Sequence, residues 1–182
     1  LISLDKIDIT AKDDKGKTIF HNACNTNNLE LIQYLVMLDK FDINAKTKDD
    51  ETPLYFAIKQ EKLPIIKYLT SLQGIDLSIK DISNKTYLHL AAEANENESI
   101  TNHLLSLNQI QIDAKDKDER TILHLACKSK SVNLIKHLAK RPELDINEHD
   151  SKGMNILHIA CKEALDINVI RFIISINKLF SS

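Results

Sequence analysis

Seven histidines and three cysteines are the side chains of this 182-residue chain best suited to metal binding or nucleophilic chemistry. A zinc site needs ligands at short, paired spacings such as Cys-x-x-Cys or His-x-x-x-His, and no such pair occurs here. Four of the histidines fall instead inside one recurring phrase: Thr18-Ile-Phe-His21-Asn-Ala23, Thr86-Tyr-Leu-His89-Leu-Ala91, Thr121-Ile-Leu-His124-Leu-Ala126 and Asn155-Ile-Leu-His158-Ile-Ala160. A fifth copy, Thr52-Pro-Leu-Tyr55-Phe-Ala57, carries tyrosine in that place. Cys24, Cys127 and Cys161 each follow the phrase's alanine, where Ile58 and Ala92 stand in the other copies. A place shared with Ile and Ala reads as a small buried apolar position, so these cysteines are expected to pack. Equivalent positions in adjacent units should lie about 10 Å apart at ordinary helix spacing. A disulfide needs Cα atoms within about 7 Å, so none is expected, and unpaired thiols favour a reducing compartment. His103 and His137 fall where Tyr34, Tyr68 and Phe172 fall in other copies and read as packing residues. Three glycines cannot build a G-x-x-x-x-G-K-[ST] or G-x-G-x-x-G phosphate loop, and neither pattern occurs. The Asn84-Lys-Thr86 and Asn97-Glu-Ser99 acceptor triplets read as chance. Neither metal, cofactor nor catalysis is expected.

The phrases start at residues 18, 52, 86, 121 and 155, a period of 34 or 35. A fixed period of that length predicts a solenoid of stacked units, each too small to bury its own apolar face. The leading Thr or Asn155 suits a helix N-cap, because its side chain can accept from an unpaired N–H. Pro53 suits the first helical position. The motif alanines are small because that helix is squeezed between neighbours. A second helix follows, with apolar residues at helical spacing: Leu29, Ile32, Leu35; Leu63, Ile66, Leu69; Leu134, Ile135, Leu138; Ile170, Ile173. The third copy is weakest, with Ile100, Leu104 and Leu105 and one extra residue in the turn at 95–99; the fifth holds an extra residue near Leu165-Asp166.

Phrase and period together resemble the ankyrin repeat, whose T-P-L-H-x-A helix start precedes a second helix and a β-turn finger. The resemblance covers about residues 9–178. Asp13, Asp81, Asp116 and Asp150 stand five residues before the leading Thr or Asn, with Thr47 the exception. The family's turn glycine survives as Gly16 and Gly153. Asp50 and Asn84 can take a left-handed conformation there at modest cost, Glu119 less comfortably. The resemblance implies an all-α, ankyrin-type solenoid of helix–turn–helix repeats with short β-turn or hairpin fingers, and motif imidazoles that tie the fingers together. It implies one domain over 1–182: the tail of a preceding repeat at 1–9, then repeats at 10–43, 44–77, 78–112, 113–146 and 147–182.

Leu4-Asp-Lys-Ile-Asp-Ile9 echoes Leu38-Asp-Lys-Phe-Asp-Ile43, so Leu1, Ile2, Leu4 and Ile7 read as the end of an earlier unit. Ile167, Val169, Ile170, Phe172, Ile173, Ile174 and Ile176 make the last helix apolar on more than one side. Flanking repeats or neighbouring subunits are expected at both ends, with association of the isolated segment. Composition is 43% hydrophobic and 27% charged, with a net charge of −2. No apolar run of about 18 residues could span a bilayer. A cytoplasmic setting without membrane insertion is expected.

Partners of ankyrin-like domains usually meet finger tips and inner helices. Thirty positions of this chain correspond to that surface; fourteen are Lys or Arg and six acidic, a net of +8, which leaves −10 on the remaining 152 residues. The expected partner-binding residues are Lys12, Lys15, Lys17, Lys46, Lys48, Lys59, Lys80, Lys85, Lys115, Lys117, Arg120 and Lys128, facing an acidic protein partner. Nucleic acid ranks lower, because aromatics for base stacking are missing from those positions. Two alternatives stay open: an architectural subunit of a large assembly such as a cytoskeletal structure, or the regulatory or targeting region of a larger enzyme, channel or effector.

Overall fold

The computed structural model describes residues 8–94 and 98–180, with side chains through Ile176. The expectations for Leu1, Ile2, Leu4 and Ile7 lie outside the described residues, as do residues 95–97 of the turn expected at 95–99, whose last two residues instead open a helix. Ten α-helices and no strands occupy the described residues. They fall into two compact units that divide between Ile82 and Ser83.

The first unit holds α1 (Ile19–Cys24), α2 (Leu29–Met37), α3 (Pro53–Lys59) and α4 (Leu63–Ser71). The second holds α5 (Tyr87–Ala94), α6 (Glu98–Leu105), α7 (Ile122–Lys128), α8 (Val132–Leu138), α9 (Ile156–Lys162) and α10 (Ile167–Phe180). In each unit a helix pairs with the next one in sequence, and first helices stack on first helices: α1 on α3, α5 on α7 on α9. This is the all-α solenoid of stacked units that the period predicts, built of the helix–turn–helix repeats that the resemblance implies.

Helices of six to nine residues are too short to stand in water alone, so caps and packing must hold them. Thr18, Thr52, Thr121 and Asn155 are N-caps in extended backbone, and Pro53 fills the first position of α3. Ala57, Ala126 and Ala160 are wholly buried, on first helices that stack against other first helices, as their small size leads one to expect. Ile32 and Leu35, Ile66 and Leu69, Ile100 and Leu104, and Leu134, Ile135 and Leu138 bury one face of each second helix.

Cys24 and Cys127 are fully buried, and burial pushes both thiols up to about 12. Cys161 differs. It is exposed, against the expectation of packing, because the face of α9 that carries it has no further first helix upon it, whereas α9 itself covers α7. The last helix is longer than its counterparts and apolar outside as well as in. Val169, Ile173 and Ile176 are buried while Ile167 and Ile174 face solvent.

Each finger is a tight β-turn. Gly16 and Gly153 take positive φ, and Asp50, Asn84 and Glu119 take it in the same place at φ 58, 60 and 59°. At Gly16 the requirement is double, since a Cβ there would lie 3.1 Å from the backbone N of Lys48 in the next finger. Gly16→Ala should therefore destabilise the first unit by about 1–2 kcal/mol. Glu119→Gly, which relieves an unfavourable left-handed residue, should stabilise the second unit by about 1 kcal/mol or less. Denaturant unfolding checks both, and equal midpoints for wild type and Gly16→Ala would refute the close-approach argument.

Candidate functional site

The fingers are self-closing loops. Asp13 Oδ1 accepts from the amides of Lys15 and Lys17 at 2.9 and 2.8 Å. Asp116 Oδ1 does the same for Asp118 and Arg120, and Asp150 Oδ1 for Lys152 and Met154. Thr47, which breaks the aspartate pattern in sequence, keeps the chemistry: its Oγ1 accepts from Asp49 and Glu51, both at 3.2 Å. Successive fingers are joined tip to tip by main chain, through Lys48 N–H to Lys15 O and Ile82 N–H to Asp49 O in the first unit. Lys117 N–H to Ser83 O and Ser151 N–H to Asp118 O do this in the second.

The imidazoles attach helix starts to these fingers. In His21, His89 and His124, Nδ1 accepts from the backbone N–H of the N-cap threonine at 3.0–3.2 Å. An accepting Nδ1 fixes the neutral tautomer with the proton on Nε2. That Nε2–H donates to the carbonyl ending the following finger, Arg120 for His89 and Met154 for His124, while in His21 it meets Glu51 at 3.3 Å and, at 3.0 Å, the Ala45 carbonyl that precedes the finger. The same carbonyls of Glu51, Arg120 and Met154 close their own fingers by accepting from Thr47, Asp116 and Asp150. His158 makes only the capping half of this arrangement, with Asn155, and is exposed; the finger-tying role implied for it is not seen. His137 is also exposed rather than packed, with Arg141 Nη2 3.5 Å from its Nε2. Among the described residues no group of three His, Cys, Asp or Glu could hold a metal ion.

The twelve basic residues of the expected face separate into two classes. Seven are engaged by the chain's own groups. Lys12 reaches the carbonyl of Lys46, Lys17 lies 4.3 Å above the Phe56 ring, and Lys59 lies 5.5 Å above Tyr55. Lys46 pairs with Asp50, Lys85 with Glu93 at 2.6 Å, and Lys115 with Glu148 at 2.7 Å and Glu119 at 3.8 Å. Arg120 pairs with Asp116 and Asp118. Burial alone would raise the Asp116 carboxyl, but the Arg120 guanidinium and finger amides more than offset it and hold it below the usual carboxylate value. The column Lys12, Lys46, Lys80, Lys115 thus has a local account at Lys46 and Lys115, where an acid four residues on shares the finger. Lys15, Lys48, Lys80, Lys117 and Lys128 make no ion pair or ring contact among the described residues, and all but Lys80 are exposed.

A family model of three consecutive ankyrin repeats matches residues 1–81 and again residues 88–179. The chain belongs to the ankyrin-repeat family. No curated protein matches it. Ankyrin repeats are generally protein–protein interaction modules and typically non-catalytic. The finger ties described above make the stability of this ankyrin-repeat chain depend on pH. Burial lowers the titration of His21, His89 and His124 below the ordinary imidazole value of 6.5, against weaker opposition from the carbonyls they bond. The folded state therefore binds fewer protons than the unfolded one. Stability should hold level above about pH 6.5 and fall as pH drops below it, before the carboxylates titrate. The second unit holds two of the three rings and should lose more. Urea unfolding at pH 7.5, 6.0 and 5.0 checks this, and a constant midpoint through pH 5 would count against it.

Proposed function

We propose that this chain is a protein-binding scaffold that meets an acidic partner through its finger tips and inner helices. The supporting observation is the set of exposed tip lysines, Lys15, Lys48 and Lys117, which form no close ion pair among the described residues while the remainder of the chain carries the negative balance. Tip side chains can be varied at little structural cost, because the finger is closed by backbone, Asp and Thr groups. Uncompensated charge there acts on an approaching partner rather than on the fold. The buried, protonated thiols Cys24 and Cys127 suit an intracellular, reducing setting. No described helix is long and apolar enough to cross a membrane.

A second reading, a subunit fixed within a larger assembly, draws support from α10. Ile167 is 56% and Ile174 42% exposed, and a permanent neighbour would cover them. Such an association would resist salt, whereas recognition by the tips would weaken with it.

Peptides selected by display against the immobilised chain should be enriched in Glu and Asp. The triple variant Lys15→Glu, Lys48→Glu, Lys117→Glu should bind them at least about tenfold more weakly at low salt, or about 1.4 kcal/mol, with unchanged helical circular dichroism. Neutral binders that ignore the variant would place recognition on the outer helices.

A further inference from the structure

The second unit has a cavity of about 190 Å3 on its inner side, between the fourth and fifth fingers and the helices α7 and α9 that follow them. Its lining includes Met154 and Ile159, half-buried and buried, with the exposed lysines Lys128, Lys152 and Lys162 and the half-buried Glu163. We infer that this cavity is an anchor site for a short acidic peptide segment, in which an apolar side chain enters between Met154 and Ile159 while flanking carboxylates meet the three lysines. The inference rests on the reading of the finger and inner-helix face as the partner-binding surface, and narrows it to one place and one chemistry.

Local charge cancellation explains why the site lies here. Two positions recur beside each inner groove: the residue just before the cap and the residue seven after it. In the third repeat these are Lys85 and Glu93, which neutralise one another at 2.6 Å. In the fourth they are Arg120 and Lys128, and Arg120 is drawn aside to Asp116 and Asp118. In the fifth they are Met154 and Lys162. Lys128 and Lys162 therefore face the groove with no acid in the partnering position, and Lys152 joins them from the fifth finger. Of the cavity's acids, Asp118 is held by Arg120 and Asp150 Oδ1 by two finger amides, which leaves Glu163 as the one carboxylate not engaged in a described contact.

The apolar part of the site is also particular to this repeat. In the second repeat, Phe56 occupies the place of Ile159 and Lys17 lies across its ring, so the apolar surface is already covered by the chain's own cation. Beside Ile159 the place of Lys17 is taken by Arg120, which is held by Asp116 and Asp118, and Met154 keeps thioether and methylene surface towards the cavity. An apolar wall ringed by uncompensated ammonium groups suits a segment of alternating carboxylate and aliphatic side chains, and disfavours a uniformly charged or a wholly apolar one.

The test is a titration of the 15N-labelled chain with a soluble peptide containing Glu-Leu-Glu-Leu-Glu between Gly-Ser flanks, followed by amide shifts. The shifts should concentrate at Ser151–Met154 and at Lys128 and Lys162, and the double variant Lys128→Gln, Lys162→Gln should weaken binding at least about tenfold. The Gln-for-Glu and the Ala-for-Leu peptides should each bind more weakly than the parent. The tip variant Lys15→Glu, Lys48→Glu, which leaves the cavity intact, separates the two levels of the argument. Binding lost in the tip variant but kept in the cavity variant overturns the anchor site and leaves the acidic-partner reading standing. No saturable shift with any peptide up to millimolar concentration overturns the anchor site as well. Equal binding of the Gln peptide, or the same amides moving only with a single-stranded oligonucleotide, overturns the chemistry assigned to it. Normal thermal melting of the cavity variant shows that a loss of binding is not a loss of fold.

Discussion

One neutral imidazole ring, bonded on both nitrogens, is the contact through which a helix start in this chain acquires its neighbour. The first helices have six to eight residues, below the length at which a helix persists in water, and each buries a small face of Ala with Phe, Ile or Leu rather than a deep core. Apolar contact alone would allow such helices to slide. The ring removes that freedom, because Nδ1 must meet its own cap N–H while Nε2–H meets the carbonyl closing the next finger. That two-point attachment fixes register wherever a buried ring is present, and the repeat that carries Tyr55 keeps the 34-residue spacing without one. The attachment also requires the ring to stay uncharged, since a protonated Nδ1 has no lone pair to offer. Burial supplies that condition.

The finger is the counterpart of the ring. Its carbonyl is shared by its own first amide and by the neighbour's imidazole, its middle amides are held by Asp or Thr, and its turn residue accepts positive φ. Every polar group that the fold needs is therefore main chain or one short side chain. Among the described residues no buried polar side-chain atom lacks a hydrogen-bond partner. The remaining side chains of the tip are free of structural duty, so sequence can vary there without unfolding the stack, and recognition can be written on it.

Much of this was legible in the residues. The repeated Thr or Asn with Ala five on marked the helix starts, and Asp50, Asn84 and Glu119 marked the turns with positive φ although only two turn glycines survive. The departures share a cause: position within a repeat does not say what the next repeat brings against it. Cys161 and His158 carry nearly the same local sequence as Cys127 and His124, yet both are exposed, since among the described residues no following first helix or finger meets them. Thr47 looked like a lost aspartate, and is instead an equivalent acceptor whose hydroxyl reaches the same two amides. The basic face was legible as a count but not as a distribution, because Glu93, Glu148 and the acids at 50 and 119 lie close to particular lysines only once the turns have formed.

That distribution changes how charge on a repeat surface should be read. Formal charge treats Lys115 and Lys117 alike, though the first is bonded to Glu148 at 2.7 Å and the second projects from the tip without a counter-ion. The bond to Glu148 holds the Lys115 ammonium above its ordinary titration range, as expected of a cation already satisfied by the chain. A partner that competes for Lys115 must break that pair and re-hydrate the carboxylate, so most of the Coulomb gain is returned; one that meets Lys117 displaces only water and mobile ions. At physiological salt the field of an exposed charge decays within about 8 Å, so a partner senses the few ammonium groups in its immediate reach rather than the net charge of a face. Periodic lysines therefore mark where charge can be tolerated on the fingers, and the acids of the same and adjacent repeats decide where it remains available to bind.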